Sequence, residues 1–258
     1  INNSSSSIVI SDAFHFFEKC YLESQHIYQM TNGKFDPSVF PLVKGWGFMN
    51  DLETPLAQDQ IDSILNFVSF ERGSHHQVDF QDAEITVTKS NPNFKLDFNA
   101  IAQGLSVDVI YDFIEKKGCK NFYVEIGGEL KVKGHNKNGT PWNIAVDSPI
   151  ENLQTRERDT IIHISDKAIA TSGNYRKFYV KDGIKYSHTL NPSTGKPVTH
   201  SLLSATVIAN MCSTSDAFAT AFMVMGTEGA LKFVREHPEE NLEVYLLFAN
   251  SKGEIQHA

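Results

Sequence analysis

The stretch HTLNPSTGKPVTHSLLSATVIANMCSTSDAFAT, residues 188–220, constrains this chain most, because its pattern changes from loop to strand to helix in one short span. Pro192 and Gly195 break any regular element at its start. Leu202–Ala209 is then an apolar, β-branched run of strand length, and a helix is expected to open near Ser213 or Ser215. In that helix Asp216 and Thr220 are four residues apart, so their oxygens share a face. Asp216 is expected in the first turn, where the helix dipole favours negative charge. Two hard oxygens with open positions around them suit Mg²⁺, which keeps water or phosphate oxygens among its ligands. A helix cap beside a packed hydroxyl has the same spacing, and the spacing alone leaves both readings open.

With 258 residues the chain can bury a substantial core, and its 41% hydrophobic and 21% charged residues are those of a globular protein. No apolar run reaches the roughly 20 residues that span a bilayer. The net charge of −8 and the lack of a basic block argue against nucleic acid as a partner. Cys20, Cys119 and Cys212 have neither CxxC spacing nor an even count, so no zinc site or full disulfide framework is indicated. INNSSSS at the start has no initiator Met, basic region or apolar region, and reads as the beginning of a fragment.

Along the chain, Phe14, Phe17, Tyr21, Leu22 and Ile27 recur at helical spacing from Ser11, a candidate N-cap, to Met30. Residues 33–48, GKFDPSVFPLVKGWGF, have no period and read as an ordered loop, either a hydrophobic plug or an aromatic wall for a ligand. A polar helix over 56–68 precedes strands at 77–80 and 84–88. In 96–118 a strand end, a small-residue turn and an amphipathic helix stopped by Gly118 are expected. The small residues of 99–104 would let a ligand approach helix N-terminal amides, or simply allow close packing. Residues 122–135 read as a strand pair bent at Gly127-Gly128, with further strands at 142–149 and 160–165. Residues 177–188 form a hairpin turning at Asp182-Gly183 and delivering His188 to a strand end, with a helix at 228–236 and a strand at 244–249 to follow. Strands and helices interleave without a βαβ period, which predicts an α+β, mostly antiparallel fold in a single domain over 1–258.

Seven segments in order resemble one family: TNGKFDPSVFPLVKGWGF, LDFNAIAQGLSVD, VEIGGELKVKG, WNIAVDSP, AIATSGNYRKFY, SHTLNPSTGKPV and SATVIANMCSTSDAFATAFMVMG. The chain resembles the FAD:protein FMN transferases, the ApbE family. The resemblance implies a T-fold-like α/β unit that binds FAD with Mg²⁺ and moves FMN onto a threonine of an acceptor flavoprotein subunit of a redox pump or electron-transfer system, releasing AMP. Some members instead hydrolyse FAD to FMN and AMP, and a flavin-binding module without catalysis is the alternative of another class. The implied metal ligands are Asp216, Thr220 and a backbone oxygen at Ala100. The implied FAD contacts are Trp46, Gly47, Phe48, Asp97, Gln103 and Leu190, and His188 matches the histidine of the family's HxxDP-type motif. As an imidazole titrating near neutrality, His188 suits the role of base.

Two positions depart from the family. Gln103 stands where Lys is frequent, removing a positive charge near the expected pyrophosphate, and Asn191 stands for the usual Asp. A first family segment would precede Ile1, and members are usually exported and often lipid-anchored. The resemblance therefore implies a cell-envelope location, periplasmic or as a membrane-anchored lipoprotein.

Overall fold

The computed structural model describes residues 1–49, 55–71, 73–149, 158–174, 178–181 and 183–258, with no side-chain description at 158, 184 and 185. In chain order the elements begin with strand β1 (Ser7–Ser11), helix α1 (Phe16–Met30), a 3₁₀ turn (Pro37–Val39), α2 (Phe40–Gly45) and α3 (Gln58–Leu65). There follow β2 (His76–Gln81), β3 (Glu84–Lys89), α4 (Ala102–Lys116), β4 (Phe122–Ile126), β5 (Glu129–Lys133), β6 (Trp142–Asp147) and β7 (Arg158–Ile164). Next come β8 (Ala168–Gly173), β9 (Phe178–Lys181), β10 (Ile184–Ser187), β11 (Leu190–Asn191), β12 (Lys196–Pro197) and β13 (Leu202–Ala209). The chain closes with α5 (Cys212–Glu236), a 3₁₀ turn (Pro238–Glu240), β14 (Glu243–Ala249) and β15 (Ile255–His257).

Every pairing between these strands is antiparallel, as the α+β class requires. The chain forms two compact units, Ile1–Asn99 with Phe178–Thr199, and Ala100–Lys177 with His200–Ala258.

In the first unit β1, β3 and β2 form a sheet in that order, and α1 packs its buried Tyr21 into a cluster with Phe70, Val78, Ile85, Val87 and Phe94. The N-cap expected at Ser11 is instead His15, and the capping oxygens come from Asp12, whose carboxylate accepts the amides of Phe16, Phe17 and Glu18; Ser11 belongs to β1. The 33–48 segment, read as a loop, is largely helical: Asp36 caps the 3₁₀ turn by accepting from Ser38 N, and α2 follows. Glycine and proline masked these elements because both are short. The strand end expected in 96–98 is absent there. The hairpin of β9 and β10 forms as expected, with Asp182 of its turn outside the described residues.

In the second unit a six-stranded sheet runs β15-β14-β13-β8-β5-β4, and β6 pairs with β7. β13 is hydrogen-bonded on both sides, to β8 and β14, and is buried along nearly its whole length, which is why it reads as a continuous apolar run rather than an alternating one. Helix α5 opens at Cys212, one residue before the earlier expected start, and this places Asp216 in the second turn rather than the first. The capping oxygens come from α4: Asp108 accepts from Cys212 N at 3.0 Å and Ser213 N at 2.9 Å, and pairs with buried Lys131 at 2.9 Å. The helix expected at 228–236 is the second half of α5, after a break at Gly226 (φ 77°). His200 packs against that glycine and donates from Nε2 to the Met223 carbonyl freed by the break. A 25-residue apolar helix was not anticipated; its most apolar window has mean hydropathy 1.2, with 56% of that window buried within the protein.

Candidate functional site

The residues singled out from the sequence fall into two groups, one in each unit. In the second unit, Gly104 lies in the first turn of α4, where the leading amides have no carbonyl partner within the helix. Its N–H donates to Asp216 Oδ2 at 3.1 Å. The Ala100 carbonyl, just before α4, has no backbone donor among the described residues. The Gly104–Asp216 bond requires α4 and α5 to touch, and only glycine permits it: a Cβ at position 104 would lie 2.4 Å from the Cys212 carbonyl oxygen. The small residues of 99–104 thus serve close packing, and the amide that could have met a phosphate is held by a carboxylate.

Asp216 is 6% exposed, and burial pushes its carboxyl up to about 7; the Gly104 N–H opposes that shift and the Glu129 carboxylate adds to it. Among the described residues nothing donates to its Oδ1. Thr220, one turn further along α5, holds its hydroxyl 3.2 Å from that of Ser172 on β8. Glu129, at the start of β5, has a buried Oε2 with no hydrogen-bond partner among the described residues. A carboxylate as buried as Asp216, with no Lys or Arg bonded to it among the described residues, is costly to ionise unless a cation faces it. The donor set (a carboxylate, a hydroxyl and a backbone carbonyl, all hard oxygens) fits Mg²⁺. No cluster of three or more His, Cys, Asp or Glu side chains occurs among the described residues, so the fit rests on the carbonyl and hydroxyl as much as on the acid.

Gln103 was expected near a pyrophosphate. Its side-chain amide instead donates to the Ile126 carbonyl at 3.0 Å, lying over Gly127 so closely that a Cβ there would meet Nε2 at 1.7 Å. The glycine pair (φ 68° and 119°) therefore both turns the β4–β5 hairpin and makes room for this amide.

In the first unit, Trp46 is 4% exposed, packed with Leu42, Ile61 and Leu190, and its indole N–H donates to the Gly195 carbonyl at 2.7 Å. This is the plug of the two readings the sequence left open. Gly47 (φ 80°) follows it at the end of α2, and Phe48 beyond is only partly buried, 5.5 Å from the Tyr179 ring, which stacks on Tyr186. Asp97 takes the Asn99 amide at 2.8 Å and gives its own N–H to Pro37. His188 directly follows β10 and is partly exposed. The Leu190 side chain is buried in the Trp46 cluster. Asn191 accepts the Ser193 amide, so the residue standing for the usual Asp holds a turn. Neither Glu129 nor Ser172 carries a signal in the sequence, and for the Gly104 bond the small-residue run 99–104 is the one hint.

A model of the ApbE family matches residues 1–246. The chain belongs to the ApbE family. It is 39% identical over 199 residues to the FAD:protein FMN transferase of Vibrio cholerae, covering 77% of this chain and 58% of that protein. It is 31% identical over 239 residues to the one of Haemophilus influenzae, covering 92% and 67%. Among solved structures, flavin transferase ApbE from Vibrio cholerae aligns with a TM-score of 0.81 at 31% identity, over 100% of this chain and 78% of that one. Apo flavinyl transferase ApbE of Pseudomonas stutzeri aligns with a TM-score of 0.84 at 27% identity, over 100% and 76%. The family and the fold implied by the sequence segments are thereby both found. This ApbE-family chain spans 58% of the length of its Vibrio cholerae relative.

Proposed function

We propose that this chain is the FAD-cleaving part of an Mg²⁺-dependent FAD:protein FMN transferase, with 1–258 acting as one ApbE-type domain. The observation that carries this reading is the Gly104–Asp216 bond, which ties a buried carboxylate to the start of α4, where Ala100 lies just ahead in sequence, with Thr220 one turn further along α5. These three oxygens would hold Mg²⁺, whose chemistry is to stabilise negative charge on the pyrophosphate oxygens. Trp46, Gly47, Phe48, Asp97, Gln103 and Leu190 are assigned to FAD on the resemblance. Phe48 offers the accessible ring, and Gln103 acts through the hairpin it holds.

In the reaction a threonine hydroxyl oxygen of the acceptor bonds to the FMN phosphorus. The bond from that phosphorus to the bridging oxygen breaks, and AMP leaves. The hydroxyl proton is assigned to His188, since imidazole titrates near neutrality. The relatives' names, all specifying transfer to protein, favour transfer over hydrolysis. A redox-pump or electron-transfer subunit as acceptor, and a cell-envelope location, belong to the same proposal.

Incubation with FAD and Mg²⁺ separates an enzyme from a flavin-binding module. With a threonine-bearing acceptor peptide present, AMP should accumulate and should cease with EDTA; retention of intact FAD at saturating Mg²⁺ and peptide contradicts the enzymatic reading.

A further inference from the structure

We propose that β4, the free edge of the six-stranded sheet, is the docking strand for the acceptor protein, which adds an extended, threonine-bearing segment to the sheet and so brings its hydroxyl to the start of α4. The identity of the occupant rests on the transferase reading above. The open edge itself does not.

In the order β15-β14-β13-β8-β5-β4, β4 has a strand partner on one side only. Which of its backbone groups are free follows from the register. Val132 of β5 gives its N–H to the Lys167 carbonyl, so Val132 and Leu130 turn their backbone toward β8, while Glu129, Lys131 and Lys133 turn theirs toward β4. Their partners on β4 are Ile126, Val124 and Phe122. The N–H and C=O groups of Tyr123 and Glu125 therefore point away from the sheet, and no backbone group among the described residues meets them.

Sheets guard such edges with lysine, proline, a bulge or a covering element. The β4 sequence FYVEI has no lysine or proline and pairs with β5 without a register shift, and Tyr123 (42%), Ile126 (37%) and Glu125 are exposed. Its one charge, on Glu125, is engaged by the Tyr123 hydroxyl. Donors and acceptors repeating at every second residue along an open edge are matched by one class of ligand, an extended polypeptide. Beside them the Tyr123 ring stacks on Trp142 at 5.9 Å, an aromatic shelf for alternate side chains of the incoming segment.

The course of β4 links this edge to the candidate site. The strand ends at Ile126, whose carbonyl accepts the Gln103 side-chain amide at 3.0 Å, and the residue after Gln103 is the Gly104 that holds Asp216. Gly127 and Gly128, which follow, are exposed and have no side chains to bar the way. A segment paired at Glu125 passes both glycines within about three further residues, at roughly 3.3 Å each.

The probe is a fluorophore-labelled peptide of alternating valine and lysine with one central threonine. Its binding to the full chain is followed by anisotropy, and its modification in the presence of FAD and Mg²⁺ by mass spectrometry. Glu125→Pro removes one outward donor and puts a ring in the path of the incoming strand, and proline is tolerated on an edge where the N–H faces solvent. It should weaken peptide binding and lower transfer by about tenfold, as the loss of one or two hydrogen bonds does, with FAD affinity and Tm unchanged. N-methylation of the peptide at alternate residues should abolish binding to the unsubstituted chain, and at the residues between should be tolerated, which keeps the idea testable if Glu125→Pro folds poorly. No peptide binding, binding unaffected by a folded Glu125→Pro, or indifference to which residues are N-methylated overturns the proposal. So does a dimer of the unsubstituted chain in sedimentation that Glu125→Pro disperses, because a second copy then holds the edge. Edge-dependent binding with no FMN on the threonine sustains the docking strand and rejects the transferase, whereas transfer that ignores the edge rejects the docking strand alone.

Discussion

Gly104 donates its backbone N–H to Asp216 Oδ2 across 112 residues of chain, tying the start of α4 to α5. Close helix contact and the placing of the Asp216 carboxylate are thus one feature. Gly104→Ala should force α4 off α5, costing about 1–3 kcal/mol of stability as overpacking does, and should also weaken cation binding. Chemical denaturation and a Mn²⁺ titration check the two together; a variant with unaltered stability and affinity would show that the contact is not needed.

Asp108 determines where α5 begins. It caps two amides of that helix and neutralises Lys131, all while buried. Asp108→Ala leaves a buried ammonium and two uncapped amides, and breaking a buried pair from one side costs about 3–5 kcal/mol. Urea unfolding measures it, and a loss under about 1 kcal/mol would contradict the reading.

The position of α5 also shows why some of the chemistry was legible in sequence and some was not. Asp216 and Thr220 are local, four residues apart, and any helix through them puts their oxygens on one face; the turn that contains Asp216 was misplaced because the cap comes from Asp108 on another helix. β13 was readable from its β-branched run, whereas β8 beside it was not, since AIATSG is too rich in small residues to signal a strand. β1 was missed for its serines. Glu129 was invisible because its significance lies in an oxygen lacking a partner, which only packing reveals.

Trp46 and Phe48 should separate in experiment. Trp46→Phe leaves the buried Gly195 carbonyl without its donor, so a stability loss of about 1–3 kcal/mol is expected. Phe48→Ala should instead lower FAD affinity by about 1 kcal/mol, the worth of a ring stack, with less effect on melting. FAD fluorescence titration and calorimetry check this pair, and the reverse assignment would make Trp46 the ligand wall after all.

His76 gives the first unit a pH dependence. Its ring is 2% exposed, stacked 4.5 Å from Phe94, and bonded through Nε2 to the Tyr21 hydroxyl, while Nδ1 is buried without a hydrogen-bond partner among the described residues. Burial, with a smaller contribution from His75, lowers its pKa to about 4 from 6.5. A lowered pKa means that the unfolded state binds the proton more readily. The His76 contribution is therefore present above pH 6.5 and is lost as pH falls toward 4, by on the order of 3 kcal/mol. Asp36 acts oppositely: burial raises its carboxyl to about 6 from 3.8, so its contribution is present below 3.8 and is lost as pH rises through 6. Subtracting the pH–stability profile of His76→Phe from that of the unsubstituted chain isolates the first effect. A flat difference between pH 7 and 4 would contradict it.

In the proposed reaction Asp216 holds the cation with which FMN moves from FAD to a threonine, and intact-mass spectrometry of a threonine-bearing acceptor peptide after incubation with the chain, FAD and Mg²⁺, alongside Asp216→Ala, tests it. A mass gain equal to FMN on threonine with stoichiometric AMP is expected, lost in Asp216→Ala with the fold retained. FMN and AMP release with the threonine unmodified, or undiminished transfer by Asp216→Ala, would contradict it.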